Sequence, residues 1–216
     1  MPDEELLNLL EQAQAIVLGS HFVYASGRHG DAYVNKDAMY MHPLIAAQIA
    51  WRIADEVQTW KEKPEIVLGA AVAGAILAQL VASHVELADA SGSASKEVLA
   101  AYADKDGGRL VIRRGYDAVI PGRNVLVVED VLTTGATATF LVTAVRRLNG
   151  RIIGVASICN RGKLTAESIG VETLFCLLNL DLVTYSPEEC PLCSDGVPIR
   201  TDLGHGRDVL AAKAGT

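Results

Sequence analysis

Glu129 and Asp130 follow four apolar residues in the segment VLVVEDVLTTGATA (residues 125–138). The apolar run reads as a buried strand, so the two acids fall where that strand reaches the carboxyl edge of a sheet. Ligands bind at that edge in open α/β folds. Thr133, Thr134, Gly135, Ala136 and Thr137 then supply hydroxyls, small side chains and exposed N–H groups at the start of a helix, which is a cradle for a phosphate. An acid pair just before a phosphate loop suits a ribose, whose hydroxyls need acceptors, with a hard cation such as Mg²⁺ bridged nearby. A capped helix after an ordinary core strand would explain the hydroxyls but not the two acids.

Other groups invite separate readings. GAAVAG (residues 69–74) has the outer spacing of a Walker loop, but Ala75 and Ile76 replace its Lys-Ser/Thr, which excludes that nucleotide site. Lys105, Arg109, Arg113 and Arg114 flank Gly107 and Gly108, a pattern expected of a mobile loop from 104 to 109. Arg161 follows an apolar run and falls at the same sheet edge. Cys190 and Cys193 form a C-x-x-C beside Pro191 and Gly196. A closed zinc site needs four ligands, and with no second C-x-x-C the nearest third ligand is His205. The favoured reading is a surface-accessible, metal-free pair, with zinc at Cys190 and Cys193 the less favoured one. Cys159 and Cys176 read as core thiols, and His29 as a turn residue.

These groups need elements to position them. After Pro64 the pattern alternates: strand 65–68, helix 74–85, strand 98–102, a charged loop or hairpin 104–115, strand 124–128, helix 136–149, strand 151–158 and strand 171–178. Apolar strands separated by helices imply a parallel sheet covered on both faces. Ahead of it, a helix capped by Asp3 carries Leu6, Leu7, Leu9, Leu10, Ala13, Ile16 and Val17 as its apolar stripe and ends at Gly19. Two short strands follow within residues 22–35, then a helix opening at Pro43 and running to about Trp60. Residues 186–206 are irregular, and the tail 209–216 reads as a frayed helix.

Half of the 216 residues are apolar and 21% are charged, enough for a sizeable core built from aliphatics, since aromatics are only 5%. The net charge of −7 argues against nucleic-acid and anionic-membrane partners. Residues 66–85 carry no charge over twenty positions, but Gly69, Gly74, Gln79, Ser83 and His84 favour a strand, loop and helix over a membrane span. The start, MPDEELLNLL, is acidic and amphipathic, unlike a secretory leader. A soluble, cytoplasmic protein is expected.

VLVVEDVLTTGATA resembles, over its full length, the phosphoribosyl-pyrophosphate-binding motif of the type I phosphoribosyltransferases. The resemblance implies that Glu129 and Asp130 hold the ribose hydroxyls, that Asp130 stabilises the cation-like ribosyl group, and that residues 133–137 wrap the 5′-phosphate. Three further segments are most similar to the orotate-using members. In FVYASGRHGDAYVNKD (residues 22–37), Ser26, Gly27 and Arg28 would line the base pocket. In GAAVAG, Ala71, Val72 and Ala73 would bind pyrophosphate, and in CNRGK (residues 159–163) Arg161 would meet the pyrimidine carboxylate. CPLC and the GVPI after it also resemble the C-termini of some bacterial members.

Two departures stand out. Those members commonly carry a lysine where this chain has Ala25. Their catalytic loop is richer in Lys, Arg and His than the one here, where Lys105 and Arg109 would act on the pyrophosphate and Asp104 and Asp106 dilute the charge.

The family implies a central, mainly parallel sheet flanked by helices with a small N-terminal hood, in one domain. Residues 1–64 would form helices and hood, 65–180 the core sheet and 181–216 an irregular segment. It also implies a Mg²⁺-dependent enzyme, with Asp130, Lys105 and Glu129 catalytic, and a homodimer acting on phosphoribosyl pyrophosphate and a nucleobase. A purine-type phosphoribosyltransferase and a non-catalytic sensor of phosphoribosyl pyrophosphate or nucleotide remain as alternatives.

Overall fold

The computed structural model describes residues 4–24, 26–89, 97–107 and 109–214, so Asp3, Ala25 and Gly108 lie outside the described residues. Contacts gather the chain into two compact units, Met1–His42 with Asp181–Thr216, and Pro43–Leu180. The segment after residue 180 therefore belongs with the N-terminal strands, and the Pro43 helix belongs with the sheet.

In the first unit, α1 (Glu4–Gln12) buries Leu6 and Leu10. The expected helix to Gly19 stops short, because the chain turns at Gln14 (φ 53°) and enters β1 (Ile16–Val23). Ile16 and Val17 are β-branched and pair with Val34 and Tyr33 of β2 (His29–Val34), an antiparallel partner that a helix would forgo. The pairing register shifts between Leu18 and Phe22, where Gly19 adopts φ +68°. α2 (Lys36–Tyr40) follows. Beyond residue 180 come a 3₁₀ turn (Pro187–Glu189), α8 (Pro191–Ser194) and α9 (Gly206–Ala214).

The second unit opens with α3 (Pro43–Thr59), which starts at Pro43 as expected. It continues through β3 (Ile66–Ala70), α4 (Ala73–Asp89), β4 (Leu99–Asp106), β5 (Arg109–Ile112), α5 (Tyr116–Val119) and β6 (Asn124–Leu132). The series ends with α6 (Ala136–Arg147), β7 (Arg151–Asn160), α7 (Ala166–Ile169) and β8 (Leu174–Asn179). The strand order is β5-β4-β3-β6-β7-β8, parallel throughout except for β5. From β3 the chain moves outward to β4 and β5, then returns to the other side of β3 as β6. The order thus reverses between β3 and β6, and such a switch point opens a crevice at the carboxyl ends of the strands.

β6 runs four residues beyond its apolar stretch, because β7 keeps pairing with it through Glu129↔Ser157, Val131↔Cys159 and Leu132↔Asn160. Ile66, Leu68, Val125, Val127, Leu141, Val145 and Val155 build the core, and each is fully buried. Residues 66–85 divide into β3, a two-residue loop and most of α4. No helix among the described residues is long and apolar enough to cross a membrane.

Leu68 is central and fully buried. Leu68→Ala should cost about 2–5 kcal/mol, read as a lowered urea midpoint with unchanged slope.

Candidate active site

Apart from Lys105 and Arg109, the candidate site residues of the second unit lie at the carboxyl ends of three adjacent strands, β3, β6 and β7. Asp130, on β6, is buried (2% exposed), and its Oδ1 accepts the Val131 N–H at 2.7 Å. Glu129 beside it is half-buried. Both acids lie on the strand rather than after it, which ties their backbones into the sheet. The chain then turns through 133–135 into α6. Gly135 caps that helix with φ +75°, and a Cβ there would meet Leu164 Cδ1 at 2.8 Å. Thr133 and Thr134 are exposed, and Thr134 Oγ1 accepts the Ala136 N–H at 3.4 Å. Glu129 and residues 131–138 line a cup of about 30 Å³ at the helix N-terminus, where first-turn N–H groups have no carbonyl partner within the helix.

On β3, a Cβ at Gly69 would lie 2.0 Å from the Gly74 carbonyl oxygen. That close approach lets only Ala71 and Val72 connect β3 to α4. The Ala71 N–H bonds to Ala103 O at 2.9 Å, Val72 is 75% exposed, and the peptide between them is cis. Ala73 is the first residue of α4, so this short loop also ends on a helix N-terminus.

The segment after β7 is tied to the turn between β6 and α6. The N–H groups of Arg161 and Gly162 both donate to Leu132 O, at 2.9 and 3.1 Å, and a Cβ at Gly162 would lie 1.7 Å from Thr133 O. The Asn160 side chain closes the turn, donating to Leu164 O at 2.9 Å and accepting the Leu164 N–H at 3.1 Å. Arg161 is thereby set beside residues 132–133, half-buried.

Lys105 and Arg109 lie on the β4–β5 hairpin, in register with Leu110 and Asp106 respectively. Both are exposed, and neither makes an ion pair among the described residues. Arg113 and Arg114 are instead used within the hairpin: both bond to Asp104 Oδ2, at 3.2 and 2.9 Å, and Arg113 also reaches Asp106 at 2.9 Å. Hydrogen bonds from Arg114 first and Arg113 second hold the Asp104 carboxyl below its usual range.

The expected base-binding turn lies in the first unit. Ser26, Gly27 and Arg28 are exposed, and Gly27 takes φ +76°. Arg28 donates from Nε to Thr184 Oγ1 at 2.8 Å and from Nη2 to Thr184 O at 2.6 Å.

Three sequence expectations about cysteine and histidine need correction. Cys190 is fully buried rather than surface-accessible, because the backbones on either side of its turn pair with β1 and β2; Cys193 is exposed. His205 contacts Asp208 at 3.2 Å and does not join the cysteines. His29 is a buried β2 residue, not a turn residue, and His21 on β1, which sequence reasoning missed, is buried beside it. The available signal was their placement on either side of the Ser26-Gly27-Arg28 turn. Cys159 is a core thiol as expected and Cys176 is half-buried; burial pushes both up to about 12.

A phosphoribosyl transferase domain model matches residues 35–182. The chain belongs to the phosphoribosyltransferase family and is an enzyme of that type. Among its relatives, the orotate phosphoribosyltransferase of Caldanaerobacter subterraneus subsp. tengcongensis is 32% identical over 201 residues, 92% of this chain and 96% of that one. The Mycobacterium tuberculosis orotate phosphoribosyltransferase, solved in complex with 5-phospho-α-D-ribosyl 1-diphosphate, is 26% identical with a TM-score of 0.58, covering 82% of this chain and 94% of that one. The Aeropyrum pernix orotate phosphoribosyltransferase shares the fold, with a TM-score of 0.62 at 21% identity over 81% of this chain and 93% of that one.

Because the Asp104 carboxyl is held low in the folded chain, its clasp with Arg113 and Arg114 is fully present above the ordinary carboxylate range and is lost as pH falls through the depressed value. Protection of the β4–β5 hairpin amides, relative to their intrinsic exchange rate at each pH, should fall on that acidification, and Asp104→Asn should lower it at neutral pH. Hydrogen-exchange mass spectrometry of both proteins checks this.

Proposed function

We propose that this enzyme transfers the phosphoribosyl group of phosphoribosyl pyrophosphate to orotate, forming orotidine 5′-phosphate and pyrophosphate in pyrimidine biosynthesis. The observation that carries the reading is the acid pair of β6 leading into the phosphate loop of α6, beside the switch point of the sheet. The α6 N-terminus receives the 5′-phosphate, and Glu129 and Asp130 accept hydrogen bonds from the ribose hydroxyls. Positive charge developing on the sugar ring is met by the Asp130 carboxylate, which its hydrogen bond to the Val131 N–H holds in place. N–H groups of Ala71, Val72 and Ala73 receive the pyrophosphate, and Lys105 and Arg109 counter its charge as it leaves. The Arg161 guanidinium pairs with the orotate carboxylate as a two-pronged donor.

The two carboxylates are hard oxygen donors at the reacting end of the site, and that donor set fits Mg²⁺, which would bind with the substrate near Glu129 and Asp130. When bound, Mg²⁺ supplies charge neutralisation on the phosphate oxygens. A cytoplasmic homodimer belongs to the same reading, and light scattering tests its assembly.

Product assays with orotate, uracil, hypoxanthine and adenine, each with and without Mg²⁺, test the proposal. Orotate should be the substrate; use of a purine in its place would overturn the base assignment, and binding of phosphoribosyl pyrophosphate without turnover would overturn catalysis. The double variant Glu129→Gln, Asp130→Asn should remove activity while circular dichroism stays native; normal turnover would remove the central assignment. Arg161→Ala should weaken orotate binding by about 2–3 kcal/mol, the scale of hydrogen bonds to a charged group, and should affect uracil far less.

A further inference from the structure

We infer that His21, His29, Cys190 and Cys193 form a closed zinc site within the first unit. In the β1–β2 register Val23 pairs with His29, and Val23 lies two residues along from His21, so the two imidazoles share one face of the hairpin as diagonal neighbours. The C-x-x-C reaches that face because the residues on either side of it pair with the histidines' own backbones. Tyr185 exchanges two 2.9 Å hydrogen bonds with His29, and Ile199 bridges to His21, with the Arg200 N–H donating to His21 O at 2.8 Å.

The four ligand atoms lie within 4.8 Å of one another. Cys190 Sγ is 3.6 Å and Cys193 Sγ 3.8 Å from His21 Nε2, and Cys193 Sγ is 3.3 Å from His29 Nδ1. Tetrahedral zinc with ordinary Zn–N and Zn–S bonds separates N from S by about 3.5 Å, so these edges already match. To hold the ion, the 2.8 Å contact between His21 Nε2 and His29 Nδ1 must open to about 3.3 Å, and the cluster, which spans up to 4.8 Å, must draw in around it.

The orientation of His21 is set from outside the cluster. Its Nδ1 lies 2.8 Å from Val197 O, and an N–H donated there leaves the Nε2 lone pair facing the other three ligands. His21 and His29 are each 1% exposed and Cys190 is fully buried, so these polar groups are withheld from water in a unit with little regular structure around them. Two thiolates and two imidazoles that can close on one point select Zn²⁺, and four protein ligands leave no position for substrate. On binding, the two thiols lose their protons to solvent, and Zn²⁺ with two thiolates makes a neutral centre.

Metal analysis of the full chain, purified without chelator from zinc-supplemented culture, should find about one zinc per chain. Cys193→Ser, chosen because Cys193 is the exposed ligand, should fold and retain only trace zinc. After zinc is stripped, cobalt(II) should give the ligand-field bands of a tetrahedral site and a thiolate charge-transfer band, both absent in Cys193→Ser. Chelator should lower the Tm of the unaltered protein and leave that of the variant unchanged. Trace zinc with no cobalt bands would overturn the site, as would a native mass two hydrogens light from a Cys190–Cys193 disulfide. None of these readouts uses phosphoribosyl pyrophosphate or a base, so the outcome is independent of the reaction proposed above.

Discussion

Backbone packed directly on backbone at the carboxyl ends of β3, β6 and β7 is the constraint on which the active-site unit depends. Gly69 against the Gly74 carbonyl and Gly162 against the Thr133 carbonyl leave no room for a Cβ. These contacts let a two-residue loop join β3 to α4 and draw the segment carrying Arg161 onto the turn between β6 and α6. Two helix N-termini and an acid pair then fall at neighbouring strand ends, on either side of the point where the strand order reverses. Small residues in this region reflect the distance at which main chains must pass, and the chemistry is carried by the few side chains they frame.

The chain must attract a substrate rich in negative charge while carrying −7 itself. Its resources are therefore local. Helix-terminal N–H groups act over a few ångströms, where the net field of the molecule matters little. The hairpin also keeps part of its positive charge for itself: Arg113 and Arg114 are engaged with Asp104, and their pairing shapes the segment that presents Lys105 and Arg109. A loop that looks poor in cations by composition thus engages two of them in its own geometry and leaves Lys105 and Arg109 exposed.

Order in the first unit has a different source. Its two-stranded sheet, short helices and irregular C-terminal segment offer few long apolar faces. The residues brought together there include two buried imidazoles and a buried thiol, linked by backbone pairing at Tyr185 and Ile199. A metal bound by this cluster would stabilise the pairing of distant segments by the same logic that small domains follow when a core alone is insufficient.

Much of this was legible in the chain itself, because it is written in local pattern. Apolar runs marked β3, β6 and β7, Pro43 opened its helix, and the hydroxyls and glycine after the acid pair marked the turn from β6 into α6. The sequence misled where a local signal competed with a distant partner. The stripe continuing through Ile16 and Val17 suits a helix, but β2 claims those residues as a strand, and β7 extends β6 through the carboxylates. Least legible was the meeting of His21 with Cys190, 169 positions apart. Spacing can reveal side chains that share a turn or a helix face, as those of Cys190 and Cys193 do. It cannot reveal that a hairpin will carry two histidines to them, since only the pairing of β1, β2 and the C-terminal segment brings those side chains within reach.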